Sequence, residues 1–123
     1  MIRYEPAPDI QEAAMRIIRK LGLPMDPTFV MFVRSHGSKA MLTTARCHSM
    51  SRIMRTALGH KKSFYVIEVI SEAFDKMSDE EKIKTIIHEL MHVPKSMGGG
   101  FLHHSNHVTR HNVDTMYRML KND

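Results

Sequence analysis

The sequence predicts an α+β fold, a small mixed β-sheet packed with helices. Three observations lead there: an amphipathic helix pattern near the start, three short β-prone runs in the middle, and two strong helix patterns near the end.

Taken in order, Ile10, Ala13, Ala14, Ile17, Ile18 and Leu21 recur at helical spacing, which predicts a helix over residues 9–21 with Asp9 as its cap. Gly22 and Pro24 stop it. The apolar, β-prone run 29–33 predicts a strand, Ser35-His36-Gly37-Ser38 a turn, and residues 41–47 the paired strand of a hairpin. Met50, Ile53, Met54, Ala57 and Leu58 fit a short helix within 49–58. Residues 63–70 make the best strand, β-branched or aromatic except at Glu68. Ser78 and Glu81 have capping-box spacing, and Ile83, Ile86, Ile87, Leu90 and Met91 form an apolar stripe that ends at Pro94. After the turn Met97-Gly98-Gly99-Gly100, a last helix is predicted over about 105–120, with Val108, Val113, Met116, Met119 and Leu120 on one side.

A length of 123 residues suits a single domain over 1–123, and 42% apolar with 25% charged residues is ordinary globular composition. No apolar run approaches the ~20 residues that cross a bilayer, and the first residues lack a signal-peptide pattern. The expectation is therefore a cytoplasmic protein with no membrane partner. Cys47 is the one cysteine and reads as a small buried apolar residue, and twelve methionines suit an adaptable core.

The formal charge is +5, and no acidic residue occurs between Asp26 and Glu68. That stretch carries Arg34, Lys39, Arg46, Arg52, Arg55, Lys61 and Lys62, with His36, His48 and His60. A basic segment over 34–62 makes nucleic acid a candidate partner, against the alternative of a solvated basic face.

The chemistry is concentrated in His88-Glu89-Leu90-Met91-His92, an HExxH. Residues four apart on a helix lie one above the other, about 40° apart around the axis, so both imidazoles reach one ion. The adjacent glutamate then lies within reach of a water on that ion. Chance alone would place HExxH in about 4 of 100 chains of this composition, so context decides. Here His88, His92 and Thr85 fall opposite the apolar stripe, with Glu89 at its edge, so one face packs and the other looks into a cleft.

A catalytic zinc site takes three protein ligands and a water. No glutamate follows Glu89, and Lys95 and Gly98 stand where an extended HExxHxxGxxH would have its glycine and third histidine. The downstream candidates are His103, His104, His107, His111 and Asp114. His104, nearest the turn, is the favoured third ligand, and His103 is its rival. His107 and His111 read as either supporting groups or surface residues.

The segments Tyr65-Val66-Ile67-Glu68-Val69-Ile70-Ser71-Glu72 and Ile86-Ile87-His88-Glu89-Leu90-Met91-His92-Val93-Pro94, with a glycine-rich turn before a histidine, resemble compact metallopeptidases of archaea and phages, themselves similar to reduced SprT-like zinc proteases. The resemblance covers about residues 45–116. It implies a minimal zincin, with Zn2+ on His88, His92 and the histidine after the turn, and Glu89 as the catalytic residue. That family has one histidine followed by glycine after the turn, whereas this chain has His103-His104-Ser105.

The expected activity is hydrolysis of a peptide or protein substrate, with Glu89 as general base. His107, Arg110, His111 and Tyr117 are candidate donors to the oxyanion. Strand 63–70, as a sheet edge, would pair with extended substrate, and Glu68 reads equally as a support of the site or a solvent-facing residue. The alternatives are a metal-dependent nuclease and a non-catalytic nucleic-acid-binding module with a structural metal.

Overall fold

The computed structural model describes residues 1–39, 42–100 and 108–122. The elements are β1 (Arg3–Pro6), α1 (Pro8–Leu21), a 3-10 turn (Pro27–Phe29), β2 (Val30–His36), β3 (Ala45–Ser49), α2 (Arg52–Ala57), β4 (Tyr65–Ile70), α3 (Ser71–Phe74), α4 (Asp79–Leu90) and α5 (Arg110–Lys121). The strands form one mixed sheet in the order β1-β2-β4-β3. β1 and β3 run antiparallel to their neighbours, while β2 and β4 run parallel. The α+β class and the mixed sheet agree with the sequence reading.

Several local expectations change. The sheet has a fourth strand, β1, which carries no apolar alternation because it is an exposed edge. An edge position also tolerates Pro6. Asp9 does not cap α1. Pro8 opens the helix, Ala7 precedes it without a side-chain cap, and Asp9 lies in the first turn. Gly22 ends α1 in the left-handed region, as its position predicts. Ser35 and His36 continue β2, and the chain turns at Gly37 with φ 96°.

The predicted hairpin is not formed. β3 begins at Ala45 and pairs with β4, because β1 and β4 already flank β2. The strand predicted over 63–70 is β4, and it is interior rather than an edge. The last helix begins at Arg110, capped by Thr109, whose hydroxyl accepts from the Asn112 N–H at 3.1 Å. The expected start near 105 lies outside the described residues, and Met119 is exposed rather than packed.

The core lies between one face of the sheet and helices α1, α4 and α5. Val30, Phe32, Tyr65, Ile67 and Val69 meet Ile10, Ala14, Ile17, Ile18, Ile87, Leu90 and Val113. Each large aliphatic side chain buried there stabilises the fold by about 1.5–3 kcal/mol. The capping box of α4 is present as predicted: Ser78 Oγ accepts from the Glu81 N–H and Glu81 Oε1 from the Ser78 N–H, both at 3.2 Å. Ile86, Ile87 and Leu90 anchor the inner side of α4, which turns His88 outward.

No helix among the described residues is long and apolar enough to cross a membrane.

Candidate metal centre

The regular part of α4 ends at Leu90, earlier than Pro94 implies. Its last turn tightens, with the His92 N–H donating to the Glu89 carbonyl at 3.1 Å. His92 thereby stays above His88, with ring centroids 5.1 Å apart and planes at 70°. Ligand atoms of His88, Glu89 and His92 all lie within 4.8 Å of one another, the one such group of three among the described residues.

Glu89 is only 7% exposed. Burial pushes its carboxyl up to about 7. His88 Nε2 stands 3.8 Å from Glu89 Oε2, too far for a good hydrogen bond. Two imidazoles over a buried carboxylate whose charged form is desolvated make a donor set that a divalent cation would satisfy, so the residues present fit a metal.

These side chains open into a cleft of about 900 Å³ between α4 and β3. Thr44, Ala45, Arg46 and Cys47 form one wall, and Met77, Glu80, Lys84 and Thr85 continue the other away from the histidines. Arg110 and Asp114 of α5 line it as well. Burial, followed by the charge of Glu89, pushes the Cys47 thiol up to about 12, so it stays protonated. It is a neutral wall of the cleft, in keeping with its reading as an apolar residue.

Lys84 links the two helices that flank the cleft. Its Nζ lies 3.0 Å from Glu80 Oε2, 3.1 Å from Asp114 Oδ1 and 5.1 Å from the centre of the Tyr117 ring. Asp114, a ligand candidate in the sequence, is thus already engaged, and the hydrogen bond from Lys84 holds its carboxyl below the usual range. Sequence reasoning missed Lys84. Its signal was the spacing Glu80-Lys84-His88, three residues stacked on one helical face.

His103, His104 and His107 lie outside the described residues. His111 is exposed on α5 and is not brought to the cleft, and Tyr117 stacks against Lys84. Of the oxyanion candidates among the described residues, Arg110 is the one that lines the cleft.

Glu68 matches neither of its expected roles. It is buried, and His48 Nε2 meets its Oε1 at 2.9 Å. Cys47 pairs with Ile67, so the next residue, Glu68, points to the opposite face of the sheet, away from the cleft.

The basic segment is partly neutralised by distant acids. Arg34 makes two 2.6 Å hydrogen bonds to Asp9, Lys62 reaches Asp26 at 2.8 Å, and His36 meets Glu5 at 2.7 Å.

A family model described as "putative phage metallopeptidase" matches residues 2–122. No curated protein and no solved structure matches the chain.

Proposed function

The chain belongs to the putative phage metallopeptidase family, and from that premise we propose that it is a zinc-dependent peptidase of the HExxH type. The observation that carries the reading is the group His88, Glu89 and His92, gathered within 4.8 Å at the floor of an open cleft. His88 and His92 would hold the ion, with His104 as the third ligand and His103 as its rival. Imidazole ligands suit several metals. Zinc is proposed because HExxH on a helix is the arrangement that pairs two histidines with a base.

When bound, such an ion supplies Lewis acidity and a water acidic enough to attack near neutral pH. Glu89 Oε takes the proton of the attacking water and later returns it to the leaving amine. Its buried position raises its basicity toward the working range of a general base. Arg110 is the proposed donor to the developing oxyanion. The strand that would receive an extended substrate is β3. It is the edge beside the cleft, and β4 is covered on both sides.

The test is metal content and cleavage of unfolded casein by wild type, His88→Ala and Glu89→Gln. About one zinc per chain, lost in His88→Ala and retained by a Glu89→Gln protein that no longer cleaves, supports the proposal. Cleavage by Glu89→Gln at the wild-type rate would sink it.

A further inference from the structure

Helix α2 contributes nothing to the core. None of its six residues is buried, and Ile53, Met54 and the following Leu58 are 77%, 53% and 57% exposed. Met54 and Leu58 stack one turn apart, and Ile53, about 100° around the axis from Met54, borders them, so the three side chains make one broad apolar surface. A helix this short is marginal in water on its own.

Local bonds nevertheless hold it in place. The Ser51 hydroxyl accepts from the Met54 N–H at 3.2 Å, and Arg55 Nη1 donates to the Lys61 carbonyl at 3.0 Å. The fold therefore keeps an apolar face in water in a defined shape.

Its surroundings are positive. Arg52, Arg55 and Lys61 form no ion pair among the described residues, unlike Arg34 and Lys62. α2 is also joined to the candidate site. It follows directly on β3, a wall of the cleft, and Arg52 Cγ lies 3.3 Å from where a Cβ on Gly99 would stand, in the turn after the HExxH helix.

We propose that α2 is a docking surface for an acidic segment of a protein substrate, one that carries apolar side chains among its carboxylates. The identification of the partner as a substrate rests on the peptidase reading. Charge complementarity asks for carboxylates opposite Arg52, Arg55 and Lys61, and Ile53, Met54 and Leu58 need apolar partners between them. A nucleic-acid backbone would meet the cations and leave those three side chains in water. A six-residue helix rises only about 9 Å, short for an element lying in a lipid interface.

The probe is a synthetic amphipathic peptide of glutamate and leucine residues, titrated by fluorescence anisotropy against wild type and two double variants, Ile53→Ser/Leu58→Ser and Arg52→Glu/Lys61→Glu. All four positions are on the surface, and circular dichroism checks the fold. The expected result is saturable binding, weakened about tenfold or more by either double variant and weakened by added salt.

No binding of the peptide up to about 1 mM, the weak end of specific affinity, overturns the proposal. So does peptide binding indifferent to Ile53→Ser/Leu58→Ser, or tighter binding of a DNA duplex or of phosphatidylglycerol vesicles. Binding needs no turnover, so casein left intact by wild type would count against the peptidase reading while leaving this surface to be judged by the titration.

Discussion

Tyr65→Phe tests how the fold holds the turn that leaves the metal helix. The Tyr65 ring is fully buried, and its hydroxyl donates to the Gly100 carbonyl at 2.9 Å and accepts from the Gly99 N–H at 3.1 Å. Burial pushes its phenol up, so it remains a donor. Beside these bonds the Gly100 N–H donates to Ser49 Oγ at 2.8 Å. The backbone they hold is unusual, with φ of 55° at Met97, 106° at Gly99 and 74° at Gly100.

Phenylalanine keeps the ring in the core and removes only the hydroxyl, leaving a carbonyl and an N–H without their partner. A buried group stranded in this way costs about 1–3 kcal/mol. Gly100 is exposed and water replaces part of that loss, so the expected destabilisation is about 1–2 kcal/mol. Urea unfolding reads it as a lower midpoint at constant m. Ser49→Ala acts on the same turn, so the double variant should lose less than the sum of the two singles, by about 0.5 kcal/mol or more. An unchanged midpoint in Tyr65→Phe, or strict additivity with Ser49→Ala, would refute the claim that these side chains hold the turn together.

Three further outcomes are expected. In metal-free protein, kept so with a chelator, Glu89 binds its proton more tightly in the fold (about 7) than in the unfolded chain, near its ordinary 4.5. Its contribution is therefore complete below about pH 4.5 and lost as pH rises through about 7, up to about 3 kcal/mol. Glu89→Gln should flatten stability between about pH 5 and 8, and parallel curves for the two proteins would contradict this. Asp9 has the opposite sign: the hydrogen bonds from Arg34 hold its carboxyl near about 2, so its contribution is present above about pH 4 and disappears toward pH 2. Asp9 is largely exposed, so the term stays under about 1 kcal/mol, and Arg34→Gln should remove it from acid-unfolding curves. Lys84→Met should leave global stability nearly unchanged, yet speed amide exchange in the first turns of α5 by releasing Asp114; unchanged exchange there would show that Lys84 does not tie α5 to α4.

What could be read from the sequence was local. The periodicity of α1 and α4, the stop at Gly22, the Ser78–Glu81 box and the stacking of His88 on His92 all depend on residues within about one turn of each other, where helical geometry leaves few choices. The same reasoning found a helix at α2, because spacing alone reports a shared face. It could not say that the face looks into water, since exposure depends on what the rest of the chain places opposite.

Strand pairing is decided over long separations and has no comparable local signature. β4 became an interior strand because β2, more than thirty positions earlier, lies parallel beside it, and β3 was thereby left as the edge that borders the cleft. Glu68 was turned to the far face by the register of Cys47 on Ile67. Thus the sequence by itself determined the chemistry available, two stacked imidazoles with a carboxylate between them, through the geometry of one helix. The tertiary structure alone decided which strand faces that helix, that Glu89 is buried enough to hold a raised pKa, and that Lys84 meets Asp114. Those outcomes depend on which distant surfaces close together and exclude water, and no short stretch of chain encodes them.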